Sequence, residues 1–72
     1  MKEFRIVDVR DKRYVEIIET AATPEAAALK AFNISLVRSG MPANLVCRVY
    51  WQTETDDQLN MVRLYRKAEP AP

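Results

Sequence analysis

At 72 residues and 8.3 kDa the chain has room for one small core and none for a second lobe or a repeat array. Hydrophobic residues make up 49% and charged residues 29%, the proportions of a chain that folds, and eleven Lys and Arg against ten Asp and Glu leave a formal net charge of +1. A bulk electrostatic grip of the histone kind and a DNA-mimicking acidic body are thereby excluded, so electrostatic recognition has to come from local patches.

One cysteine, Cys47, excludes an internal disulfide and a multi-cysteine zinc site, and histidine is absent from the sequence. Hydrolytic triads, Cys-His dyads and zinc chemistry are out of reach. The expectation is no enzyme, no catalytic residue, no metal and no cofactor. The longest apolar run is four residues, against the roughly eighteen a membrane span needs. Met1-Lys2-Glu3-Phe4 lacks the apolar stretch of a signal peptide, which predicts a cytoplasmic chain with no membrane partner. Asn33-Ile34-Ser35 matches a glycosylation acceptor but falls inside a predicted helix, so it carries no weight.

Residues 3–9 and 14–20 are rich in β-branched and aromatic types and flank Arg10-Asp11-Lys12-Arg13, which predicts a hairpin. If Asp11-Lys12 form a two-residue loop, Phe4, Ile6, Val15 and Ile17 share one face and Arg5, Val7, Val9, Tyr14, Glu16 and Ile18 the other; a one-residue slip redistributes them, and the sequence leaves the register open. Thr23-Pro24-Glu25-Ala26 then reads as a helix start: a capping hydroxyl, a proline suited to the first turn, and an acid at the positive end of the dipole. Ala28, Leu29, Phe32 and Leu36 follow at helical spacing, with Ala27, Ala31 and Ile34 as a shallower apolar flank. Lys30, Asn33 and Arg38 mark the solvent side. Gly40 is placed to take a left-handed cap, with Met41 reaching back to Leu36 before Pro42, so the predicted helix runs from Pro24 to Ser39.

Residues 45–52 alternate, with Leu45, Cys47, Val49 and Trp51 on one side and Val46, Arg48, Tyr50 and Gln52 on the other. A polar turn at 53–58 leads into a second alternation, residues 59–67, with Val62 and Leu64 opposite Met61, Arg63 and Tyr65. The expected fold is α+β with order ββαββ: antiparallel hairpins form a sheet of up to four strands with a single helix packed on one face. Residues 1–68 form one domain and 69–72 a disordered tail. A half-covered sheet of this size is marginal alone, which homodimerisation or docking on a larger protein relieves.

The face away from the helix presents Arg5, Arg48 and Arg63 interleaved with Tyr14, Tyr50 and Tyr65. Together with Val7, Val9, Ile18, Val46 and Met61, these give the composition of a protein-interface core. The same arginines and tyrosines are what a single-stranded nucleic-acid binder uses for phosphates and stacking, a reading weakened by the balanced charge. The acidic turn Glu54, Asp56 and Asp57 is a second partner-contact candidate and lacks the spacing of a calcium loop. Cys47, flanked by apolar neighbours with no base to activate it, reads as a buried inert thiol and Trp51 as the rim of the core. The charges of Arg63, Arg66 and Lys67 suit an edge strand that discourages sheet-to-sheet aggregation.

An N-terminal hairpin, then Ala22-Thr23-Pro24-Glu25-Ala26-Ala27-Ala28-Leu29-Lys30-Ala31-Phe32, then a second hairpin of mixed basic and aromatic residues resembles the layout of small phage-encoded anti-CRISPR proteins. That resemblance implies a non-catalytic inhibitor in the host bacterial cytoplasm that binds a CRISPR effector subunit and blocks target DNA binding or nuclease recruitment. It transfers no residue role, because the group shares no diagnostic motif. Partner contact is therefore assigned from the residues themselves to Arg5, Tyr14, Arg48, Tyr50, Arg63 and Tyr65, with Glu54, Asp56 and Asp57.

Overall fold

The computed structural model describes residues 1–53 and 58–68. In chain order these form β1 (Lys2–Asp8), β2 (Glu16–Ala21), α1 (Pro24–Phe32), β3 (Leu36–Val37), a 3-10 turn at Pro42–Asn44, β4 (Leu45–Gln52) and β5 (Leu59–Arg66). The strands make one antiparallel sheet in the order β2-β1-β4-β5-β3. This is the expected α+β architecture with a fifth, two-residue strand added at an edge. The predicted tail at 69–72 and the acidic turn residues Glu54, Asp56 and Asp57 lie outside the described residues.

β1 and β2 pair in the register that a loop centred on Asp11-Lys12 predicts, with Ile6 opposite Ile17 and Arg5 opposite Ile18. The two-residue loop itself does not form. Val9 leaves β2 and donates its N–H to the Val46 carbonyl on β4 (3.1 Å), and the chain instead closes a turn in which the Tyr14 N–H donates to the Asp11 carbonyl (3.0 Å). Tyr14 sits there at φ 49°, off the ladder, and Val15 beside it is exposed rather than in the core. Two carboxylates hold the turn. Asp8 accepts from Arg10 Nε and Nη2, both at 3.1 Å, and Asp11 accepts from Arg13 Nη2 at 2.9 Å. The Arg10 guanidinium also lies 5.2 Å from the Phe32 ring, tying the turn to the end of α1.

α1 starts as predicted. The Thr23 hydroxyl accepts from the Ala26 N–H (3.1 Å), Pro24 fills the first turn, and Glu25 sits at the positive end of the dipole. The helix ends at Phe32, seven residues before Ser39, with Asn33 in the left-handed region (φ 57°, ψ 33°) and its N–H on the Leu29 carbonyl. Asparagine tolerates that conformation, and Leu36 and Val37 are drawn away to pair with Arg66 and Tyr65 of β5. Leu36 is buried, as expected, but from a strand; Leu29, expected in the core, is 47% exposed. Gly40 is not a left-handed cap, and Met41 is exposed rather than folded back on Leu36. What Gly40 supplies is close approach, since a Cβ there would stand 2.9 Å from Tyr65 Cβ. Arg38 reaches back to Glu25 with two hydrogen bonds of 3.1 Å, closing the segment after β3 onto the first turn of α1.

The core lies between α1 and the sheet: Ala27 and Ala28 cluster with Phe4, Ile6, Leu36, Val46, Cys47, Val49 and Leu64. Trp51 forms its rim, edge-on to Phe4 at 5.6 Å. β4 departs from strict alternation. Leu45 stands opposite Tyr65 and Cys47 opposite Leu64, so Val46 is the extra residue of a β-bulge, and Val46 and Cys47 are both buried. Val46 thus belongs to the core and not to the outer face.

Gly40→Ala is expected to cost about 1–3 kcal/mol in urea unfolding, the usual range for overpacking. The obstructing atom, Tyr65 Cβ, is fixed to β5, so Tyr65→Ala does not recover the loss. Acid unfolding gives a second check. Hydrogen bonds from Arg10, Arg13 and Arg38 hold the carboxyls of Asp8, Asp11 and Glu25 below the usual carboxylate range, against an opposing effect of burial. Groups with a lowered folded-state pKa contribute stability that is complete above about pH 5 and lost as pH falls through that pKa. The urea midpoint should therefore drop on the acid side, and Asp8→Asn should flatten that drop.

Candidate functional site on the open sheet face

Strand pairing fixes which side chains share the face away from α1. One row across the sheet reads Glu16 on β2, Val7 on β1, Arg48 on β4 and Arg63 on β5; the next reads Ile18, Arg5, Tyr50 and Met61 on the same four strands. Tyr65 follows on β5 beside Val37 of β3. Five of the six sheet-face residues singled out from sequence (Arg5, Arg48, Tyr50, Arg63 and Tyr65) thus lie together. Tyr14 does not join them, because it sits in the turn beyond the end of β2.

Charge is distributed unevenly over these rows. Arg5 Nε stands 3.3 Å from a Glu16 carboxylate oxygen, a half-exposed pair worth little net stability but locally neutral. Arg10, Arg13 and Arg38 have their own carboxylates, as described above. Arg48 and Arg63 have none among the described residues and instead stand directly opposite each other, with Cβ atoms about 5 Å apart for such a pair. Like charges in that position destabilise a sheet. The strain is compounded at Arg48, whose Nε is buried without a hydrogen-bond partner. A desolvated donor left unsatisfied has a cost in the free chain that a docked acceptor removes.

Apolar surface frames the arginines. Ile18, Met61 and Leu59 are exposed, and a half-open depression of about 520 Å³ at the far end of the face is lined by Arg5, Ile18, Tyr50 and Leu59, among others. Sequence reasoning found these residue types but not the Arg48–Arg63 opposition. That follows from the β4–β5 register, which the polar stretch between the strands does not specify.

On the other side of the sheet Cys47 is fully buried, and burial chiefly, with Asp8 adding, pushes its thiol up to about 12. Among the described residues no three Cys, Asp or Glu side chains converge as metal ligands, and no helix is long and apolar enough to cross a membrane. Comparison with protein-family models, with curated proteins and with solved structures gives no match.

In the folded chain at mildly alkaline pH, Cys47 should react with a disulfide reagent orders of magnitude more slowly than a free thiol, since only the thiolate attacks. Stopped-flow measurement with and without denaturant should show the full rate only after unfolding.

Proposed function

We propose that the chain is a small non-catalytic protein-binding inhibitor acting in the cytoplasm, and that it binds through the open sheet face by covering a surface its target needs. The observation that carries this reading is the Arg48–Arg63 pair, two arginines set opposite each other with no ion-pair partner among the described residues, inside a frame of Tyr50, Tyr65 and Met61. Arginine and tyrosine set among apolar side chains are the residues that dominate binding at protein interfaces. Keeping them here at a cost in stability is what a surface selected for binding does.

The target class is the one that the resemblance in layout implies, a subunit of a CRISPR effector complex whose target DNA binding or nuclease recruitment is blocked. A single-stranded nucleic-acid accessory role uses the same arginines, with Tyr50 between them and Arg5 as a stacking platform. Glu16 within the same rows, next to Arg5, counts against a continuous phosphate track.

Immobilised chain exposed to purified effector complexes, each with and without nuclease treatment, tests both readings. The expected result is capture unaffected by nuclease and weakened about thirtyfold or more by Tyr50→Ala or Arg63→Ala, the range of interface hot spots. Binding to a thymidine homopolymer should be negligible. Capture that disappears with nuclease, or salt-sensitive binding to the homopolymer that those substitutions weaken, replaces the inhibitor reading with the nucleic-acid one.

A further inference from the structure

We infer that the open face is also the interface of a two-fold symmetric dimer of this chain, so that in the absence of a target a second copy occupies it. The inference rests on the reading of this face as a protein interface and names its occupant in the free protein. The order of residues across the rows is self-complementary. Place a second copy face to face with the first, related by an axis that runs parallel to the strands between β1 and β4. Each strand then meets its counterpart in reversed order at the same level: β2 meets the second copy's β5, and β1 meets its β4.

The first row, Glu16, Val7, Arg48, Arg63, is complementary to its own reverse. Reversal sets the Glu16 carboxylate against the second copy's Arg63 and the Val7 side chain against the aliphatic stem of its Arg48. The second row, Ile18, Arg5, Tyr50, Met61, behaves the same way. Ile18 falls against Met61, and the Arg5 guanidinium against the Tyr50 ring. Every contact occurs twice, as a two-fold interface requires. Packed sheets stand about 10 Å apart, a gap that arginine and glutamate side chains span.

Other occupants fit less of this pattern. A uniformly acidic protein surface suits Arg48 and Arg63 but meets Glu16 as a like charge, and a phosphate backbone does the same. A partner that satisfies both ends of the row carries an acid at one side and a base at the other in reversed order, and the chain's own face is such a partner. The two exposed apolar side chains at the opposite ends of the second row, Ile18 and Met61, are covered by the same operation. Because one surface serves both associations, target binding and self-association exclude each other.

Sedimentation velocity on the purified chain, from low micromolar to near-millimolar concentration, tests this. The expected result is a concentration-dependent rise from the 8.3 kDa chain mass to twice that value. Arg63→Glu and Glu16→Arg each set like charges opposite at both symmetry-related contacts and should raise the dimer dissociation constant at least about tenfold. The double variant Glu16→Arg with Arg63→Glu restores the opposite charges and should restore the dimer. Circular dichroism checks that the variants fold, and Ile18→Lys serves as an independent disruptor if a charge variant does not.

A constant monomer mass overturns the inference, as does a dimer indifferent to all three single substitutions or one that the double variant fails to restore. A monomer that still captures an effector complex through Arg63 ends the dimer and leaves the protein-binding reading standing. A charge-swap-sensitive dimer that captures no target does the reverse.

Discussion

The methyl groups of Ala27 and Ala28 set the distance between α1 and the sheet. Both are fully buried, and a side chain no larger than methyl lets the helix lie close to Phe4, Ile6 and the neighbouring core residues. Burying each large apolar side chain in that layer contributes roughly 1.5–3 kcal/mol, the main favourable contribution in a chain this small. The reach of the arrangement is limited by helix length. Nine residues span about 14 Å, while five strands spaced about 4.8 Å apart are wider than that, so one short helix covers part of one face and leaves the rim residues Trp51 and Val62 half-buried.

From that limit follows a division of labour among the arginines. Those in turns and loops are spent on structure: Arg10 and Arg13 each clamp an aspartate two residues away, and Arg38 bridges thirteen residues to Glu25. Arg48 and Arg63, at the centre of the uncovered face, have no such partner among the described residues. A sheet optimised for its own stability would not hold two cations opposite each other there. The layer beneath α1 is self-sufficient, whereas the opposite layer is chemically incomplete.

Local signals in the sequence were legible wherever a few neighbouring residues decide the conformation. The cap at Thr23 and the alternation of Phe4 with Ile6 read correctly from residue types and spacing, whereas the sequence leaves the register of the first hairpin open, because its apolar side chains divide between two faces in either pairing. The failures share a physical origin in distant pairing. Leu36 continues a helical period, yet its backbone bonds to β5, which no local pattern around Leu36 announces. Val46 sits on the outward beat of an alternation that a bulge shifts by one residue. Gly40 carries the residue type of a helix cap, but its requirement is the proximity of Tyr65, twenty-five positions later. Most of the open face was readable because alternation assigns it, Val46 and Tyr14 being the exceptions; its charge opposition was not, because that needs the register between β4 and β5.

The bulge at Val46 makes β4 unequal along its length in its tolerance of a lost codon. Within β4 the residues after Cys47 alternate strictly against both β1 and β5, so losing one codon between Arg48 and Gln52 would turn part of the strand over, exchanging core-facing valine for outward arginine or tyrosine. Losing the Val46 codon instead removes the one residue of β4 that has no opposite number on β5, leaving Leu45 against Tyr65 and Cys47 against Leu64 as before, though it gives up the bond from the Val9 N–H. Such a deletion forfeits a buried side chain but keeps the reading frame of the sheet.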